Sequence, residues 1–287
     1  MMHGSDQQHT LANPALIEGV ALFTGVPSKC TIRPAPVDHG LVFEHNGTQI
    51  PLGAGSLCDG PVHPLFASVP PRCSAVSSGG SSVWLVEHVL SALAGLGISN
   101  AVVSVDHHEL PILDGSSQAF VRAILDAGVV DQDAAVTPIQ ISKTVRVEHG
   151  DSWIEATPAA SASYQYTIDY GENSPIKRAT VGWDGDAADY AHRVAPARTF
   201  CLKQEAEMLI GGGLFKHLAP GDMLVLDEDG PMDNELRDPD ECAHHKLLDL
   251  IGDIALFGSR INARFVAHKS GHSMAHALVR AIADAVG

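Results

Sequence analysis

An α+β fold in two similarly built halves is what this sequence predicts, and three observations point to it. The hydrophobic patterning runs strands, helix, strand, helix, and then passes through the same order again. The helices that close the two halves are alike: Ala119–Ala127 (AFVRAILDA) and Ala277–Ala285 (ALVRAIADA) agree at seven of nine positions. The chain has 287 residues, 45% of them apolar, enough for two ordinary domains with a sizeable core.

In the first half, strands are expected near Leu16–Phe23, Lys29–Arg33 and Leu41–Glu44. An apolar helix follows over Val83–Leu96, closed by Gly97, then a strand over Asn100–Asp106 and a helix over Ser117–Ala127. In the second half, alternation marks strands at Ile139–Glu148, Trp153–Thr157 and Ser163–Tyr170, with another near Met223–Leu226. A helix spans Pro239–Phe257 and stops at Gly258. Asp238 suits its N-cap, Pro239 its first position, and Glu241 can close a capping box. Strand Ile261–Ala267 and helix Ser273–Val286 finish the chain. Asp, Gln, Ala and Pro interrupt the patterning over Asp131–Thr137, so the domains are placed at residues 1–132 and 133–287.

Lys and Arg number 18 against 34 Asp and Glu, a formal charge of −16. That excess argues against a nucleic-acid partner, which calls for clustered basic side chains, and against docking on an anionic membrane. The polar N-terminus reads as neither signal nor transit peptide, and no stretch approaches the roughly 20 apolar residues of a membrane helix. Five widely spaced cysteines without a CxxC pair read as reduced thiols of a cytoplasmic protein. Sixteen histidines exceed what packing needs. Of these, His107-His108, His3 and His9 are read as solvated loop residues, and His272 with His276 as a rival pair lacking a supporting carboxylate.

Two helices carry polar residues where core is expected. In the second-half helix, Leu247, Leu248, Leu250, Ile251, Ile254 and Phe257 cover most of the circumference, so it is expected to be largely buried. Yet His245, Asp249 and Asp253 recur at four-residue steps along one stripe. Buried carboxylates are costly unless paired or metal-bound, and His-x-x-x-Asp brings an imidazole and a carboxylate to one ion. In the first-half helix a single Glu87-His88 pair interrupts an apolar run. Two histidines and one aspartate leave a fourth zinc position for water. Bound zinc lowers the pKa of that water towards 7, and Glu87 is placed to take its proton. His272, in the turn before the last helix and with Asp253 oriented towards it, can face developing negative charge as an imidazolium.

These residues lie in segments that resemble the UDP-3-O-acyl-N-acetylglucosamine deacetylase family, the zinc amidases of lipid A biosynthesis. The matching segments are Gly19-Val-Ala-Leu-Phe-Thr-Gly25, Arg33-Pro-Ala-Pro36, Val86-Glu-His88 with Ala92-Leu-Ala-Gly-Leu-Gly97, and Leu110-Pro-Ile-Leu-Asp-Gly-Ser116. They continue with Ala197-Arg-Thr-Phe200, His245-Lys-Leu-Leu-Asp249 with Ile251-Gly-Asp253, and Lys269-Ser-Gly-His272. The resemblance implies two α+β domains of similar topology with their helices between the sheets and zinc at the junction. It makes His88, His245 and Asp249 the Zn2+ ligands, Glu87 the general base, and His272 the acid with Asp253 as partner. It adds Thr199 as an oxyanion donor, Phe200 against the hexose, and Lys246 and Lys269 facing the nucleotide phosphates. The implied substrate is a UDP-linked acylated amino sugar, met in the cytoplasm by a protein without stable membrane insertion and expected to be a monomer.

The chain departs from the family's pattern at several places. Phe23 stands where a histidine is usual, Trp84-Leu85 replaces Ser-Thr, Cys201 a glycine, and His244 an arginine. The metal and acid–base set is intact, so the alternatives are the same chemistry on another acylated amino sugar, or a non-catalytic binder of sugar nucleotide or acyl chain.

Overall fold

The computed structural model describes residues 7–58, 60, 72–218 and 222–286, and over them the chain has the expected α+β class. Two sheets frame the molecule. The first comprises β1 (Ala15–Val20), β2 (Pro27–Pro34), β3 (Leu41–His45) and β4 (Thr48–Pro51), followed by helix α1 (Val86–Gly95), strand β5 (Ala101–Val105) and helix α2 (Gln118–Ala127). The second comprises β6 (Val145–His149), β7 (Ser152–Pro158), β8 (Ser163–Ile168) and β9 (Ala179–Trp183), followed by helix α3 (Glu241–Ala255), strand β10 (Ile261–His268) and helix α4 (His272–Val286). Their spatial orders are β1-β2-β5-β3-β4 and β6-β7-β10-β8-β9. In each, the last strand enters the middle, antiparallel to the second and parallel to the third. The repeat visible in sequence is therefore a repeat of topology, and the two similar helices, α2 and α4, hold equivalent places in it.

The strands follow period-two burial. β2 turns Ser28, Cys30 and Ile32 inward between outward-facing Lys29 and Thr31, and β10 buries Ile261, Ala263, Phe265 and Ala267. Helices α1 and α3 have no wet face: nine of ten residues in α1 and thirteen of fifteen in α3 are buried. They cross at Gly252, where a Cβ would lie 2.1 Å from the Glu87 carbonyl oxygen. Only a glycine permits that approach. The crossing sets the Glu87-His88 pair beside the polar stripe of α3.

Several boundaries differ from expectation. α1 starts at Val86 rather than Val83, because Ser81–Trp84 pairs with Ala75–Ser78 and Leu85 turns the chain in a left-handed conformation (φ 62°). α3 starts at Glu241, without a capping box; the Glu241 carboxylate instead holds Arg198 at 2.7 Å. The strand expected at 139–148 is two: Ile139–Gln140 joins β10 in parallel, and β6 follows. The junction expected at Asp131–Thr137 overlaps a strand, Val129–Ala135, paired with Gln7–Leu11. His9 lies in that pairing, against Asp131 at 3.0 Å and the Gly97 carbonyl, and is not a loop residue. His107 and His108 are half-buried, with rings 4.0 Å apart, and His3 lies outside the described residues.

Between β9 and α3 the chain inserts a small sheet of Phe200–Leu202, Leu224–Asp227 and Gly230–Pro231 with the helix Lys203–Gly211. The five cysteines are free thiols. Among the described residues, no helix is long and apolar enough to cross a membrane.

Candidate active site

His88 from α1 and His245 and Asp249 from α3 converge, each buried and offering a donor atom within 4.8 Å of the others. The His88 and His245 rings meet edge to face at 5.2 Å. His245 Nδ1 donates to the Ala197 carbonyl at 3.1 Å, which leaves the Nε2 lone pair turned towards Asp249 Oδ1, 3.4 Å away. His88 Nε2 lies 3.7 Å from the same oxygen. Burial pushes both imidazoles below their ordinary pKa, His88 to about 3 with His245 adding repulsion, so both are neutral at pH 7. Burial alone would raise Asp249, but the Lys246 ammonium and the His272 imidazolium beside it outweigh burial and hold the carboxylate ionised. Asp249 Oδ1 is buried without a hydrogen-bond partner. Two neutral imidazoles and an ionised, unsatisfied carboxylate oxygen facing one point fit a divalent cation with borderline nitrogen and oxygen preferences.

Glu87 and His272 flank this group. Burial raises Glu87 to about 8, and Asp249 and Asp253 add to it against the opposing pull of His272. For His272, burial favours the neutral ring, but Asp253, Asp249 and Glu87 overcome it and raise the pKa to about 9. His272 Nδ1 donates to Asp253 Oδ2 at 2.9 Å. Its Nε2 points the other way, 3.9 Å from Asp249 Oδ2. The rival His272–His276 pair has ring centres 6.5 Å apart and lies outside the converging donors.

Thr199 and Phe200 follow the Ala197 carbonyl that fixes His245. The Thr199 N–H donates to the Gly115 carbonyl at 2.7 Å, and a Cβ at Gly115 would strike the Thr199 methyl. The Phe200 ring stands 6.1 Å from His245. This short strand is anchored from below by Arg198, buried and bound to both Glu241 oxygens at 2.7 and 3.0 Å. The two lysines are matched by carboxylates rather than forming an uncompensated basic patch. Lys246 Nζ lies 2.6 Å from Asp249 Oδ2, and Lys269 Nζ pairs with Asp151. Among the departures, Phe23 is buried against Phe215 and Trp84 packs on His108. Cys201 is half-buried with its thiol pushed up to about 11 by burial.

Ser74 was not legible in the sequence. Its N–H donates to Glu87 Oε2 at 2.9 Å, and its hydroxyl lies 2.5 Å from Asp253 Oδ1. No periodicity marks it, because its partners lie 13 and 179 positions away.

Comparison with known proteins points to one family. The family model described as UDP-3-O-acyl N-acetylglycosamine deacetylase matches residues 8–284. The chain is 34% identical to the UDP-3-O-acyl-N-acetylglucosamine deacetylase of Cellvibrio japonicus, over 97% of this chain and 90% of that one. It is 36% identical to the enzyme of that name from Myxococcus xanthus, over 98% and 88% of the two chains. For the one from Mannheimia succiniciproducens the values are 34%, 96% and 90%. A match over nearly the whole length places the chain in the UDP-3-O-acyl N-acetylglycosamine deacetylase family.

Proposed function

We propose that this protein removes the N-acetyl group from a UDP-linked, 3-O-acylated N-acetylglucosamine in lipid A biosynthesis, acting in the cytoplasm with a zinc ion held by His88, His245 and Asp249. In this reading its two domains, residues 1–132 and 133–287, join within the strand Val129–Ala135. The observation that carries the reading is Asp249 Oδ1, buried, ionised and unsatisfied between two neutral imidazoles. Zinc, when bound, acts as a Lewis acid that lowers the pKa of water and polarises an amide carbonyl.

The chain's own residues supply the rest. Glu87 takes the proton of the attacking water; a neighbouring dication favours its ionised form over the protonated one expected at a pKa of about 8. His272, held by Asp253 and kept cationic, faces the negative charge that grows on the carbonyl oxygen, and Thr199 donates to the same oxygen. As the C–N bond breaks, a proton passes to the departing nitrogen, giving acetate and the free amine. Phe200 packs against the hexose, and Lys246 and Lys269 lie towards the nucleotide. A second reading keeps this chemistry and changes the acylated amino sugar, because Phe23, its ring tilted against Phe215, stands where the family's pattern has a histidine.

The test is metal analysis together with mass-spectrometric detection of deacetylation. Wild type should carry zinc and turn over. Glu87→Gln should keep zinc and lose about 10²–10⁴-fold in rate, the usual worth of general-base catalysis. His245→Ala, left with two protein ligands, should lose metal and activity together. Equal rates for wild type and Glu87→Gln would overturn the mechanism. Zinc without turnover would favour the second reading, and no zinc would leave a binding protein.

A further inference from the structure

Behind the Asp253–His272 pair lies a second layer that the chemistry above does not use. Ser74 Oγ is 2.5 Å from Asp253 Oδ1 and 2.7 Å from His276 Nε2. It is also 3.5 Å from His272 Nδ1, which already donates to Asp253. All four side chains are buried, Ser74 completely. A hydroxyl has one proton to give, and an ionised carboxylate has none. The Ser74 O–H therefore donates to Asp253 and accepts from the Nε2–H of His276, which fixes the tautomer of that ring. The four residues form one directed chain, His276 to Ser74 to Asp253, with His272 donating to the same carboxylate beside Ser74.

We infer that Ser74 and His276 are positioning residues of the reaction, acting through Asp253 to aim His272. The inference rests on the role given to His272 above. Asp253 projects from α3, and its carboxylate plane decides where the imidazole points. Ser74 holds Oδ1 while His272 Nδ1 sits astride both oxygens, 3.1 Å from Oδ1 and 2.9 Å from Oδ2, which together fix the carboxylate plane and keep His272 Nε2 turned towards Asp249. The Ser74 backbone reaches Glu87 as well. One residue thus ties the base to the partner of the acid. His276, on the same face of α4 one turn beyond His272, keeps the Ser74 hydroxyl turned to Asp253 rather than towards another acceptor.

The test uses the full-length, zinc-loaded protein with Ser74→Ala, His276→Leu, His276→Gln and the double variant Ser74→Ala/His276→Leu. Ser74→Ala removes one oxygen and is the least disruptive to folding. Ser74→Ala and His276→Leu should each lower kcat on the order of 10-fold, as outer hydrogen-bonding partners of a site commonly do, with KM and zinc content kept. His276→Gln, which offers an N–H at similar reach, should recover most of the loss. The double variant should be no slower than Ser74→Ala, because His276 acts through Ser74. An unchanged kcat in Ser74→Ala, losses that multiply in the double variant, or equal losses in His276→Gln and His276→Leu would overturn the inference. Wild type against Glu87→Gln judges the parent reading separately. If neither deacetylates, the ring ¹⁵N resonances still decide. His276 should carry its proton on Nε2, and the His272 Nδ1–H signal should shift in Ser74→Ala; a signal that stays in place would sink the network.

Discussion

Glu87 and His272 are both buried, act on each other, and are both pushed upward, to about 8 and about 9, yet their proposed tasks need opposite protonation states. The carboxyl must be ionised to accept a proton, and the imidazole must stay protonated to face negative charge. Activity should therefore rise with pH as Glu87 ionises and fall as His272 deprotonates, giving a bell. A bound dication lowers both values, so both limbs should lie below the metal-free positions. Asp253 is the strongest influence raising His272. Asp253→Asn removes that charge, lowers the His272 pKa, and should move the basic limb of kcat/KM to lower pH by about a unit or more. A basic limb that stays in place would remove Asp253 from this role.

At the scale of elements, the site depends on how closely α1 and α3 can approach. An alanine methyl at Gly252 would meet the Glu87 carbonyl, a backbone atom that cannot swing aside. Gly252→Ala should cost about 1–3 kcal/mol or more by overpacking and, by parting His88 from His245 and Asp249, should also weaken zinc binding. Gly211, in an exposed helix with open space around it, is the control, and its alanine variant should be neutral or stabilising. Urea midpoints and zinc titrations check both. The burial of these two helices was legible, because their apolar residues leave no wet face and a Glu-His pair or a His/Asp stripe then stands out. The start of α1 was not. Val83 and Trp84 suit a helix or a strand equally, and the pairing of Ser81–Trp84 with Ala75–Ser78 decides it. Glu241 reads as a capping residue until Arg198, 43 positions earlier in the chain, takes its carboxylate. The short strand Phe200–Leu202 and the Thr199 before it owe their place to such distant bonds, which leave no periodic trace.

For the molecule as a whole, the proposed metal donors are divided between the two repeats, one histidine from the first and a histidine and an aspartate from the second. Binding then stabilises the joined molecule by the usual linkage, about 4 kcal/mol when free zinc is 1,000 times its Kd. Stripping the metal should lower the melting temperature of wild type by several degrees and leave that of His245→Ala unmoved, as read by calorimetry with and without chelator. A net charge of −16 adds self-repulsion to the compact state, so the metal-free protein should gain stability from added salt. The matching strand orders carry a consequence about history. If one ancestral unit was doubled, a pair of identical copies would have set two identical helices across a two-fold axis, each offering its partner the same side chains. Today α1 presents a glutamate beside a histidine, while α3 presents a histidine and two aspartates spaced four apart. No symmetric pair can display both sets at once. The present division of labour between the helices therefore postdates the doubling of the fold that holds them.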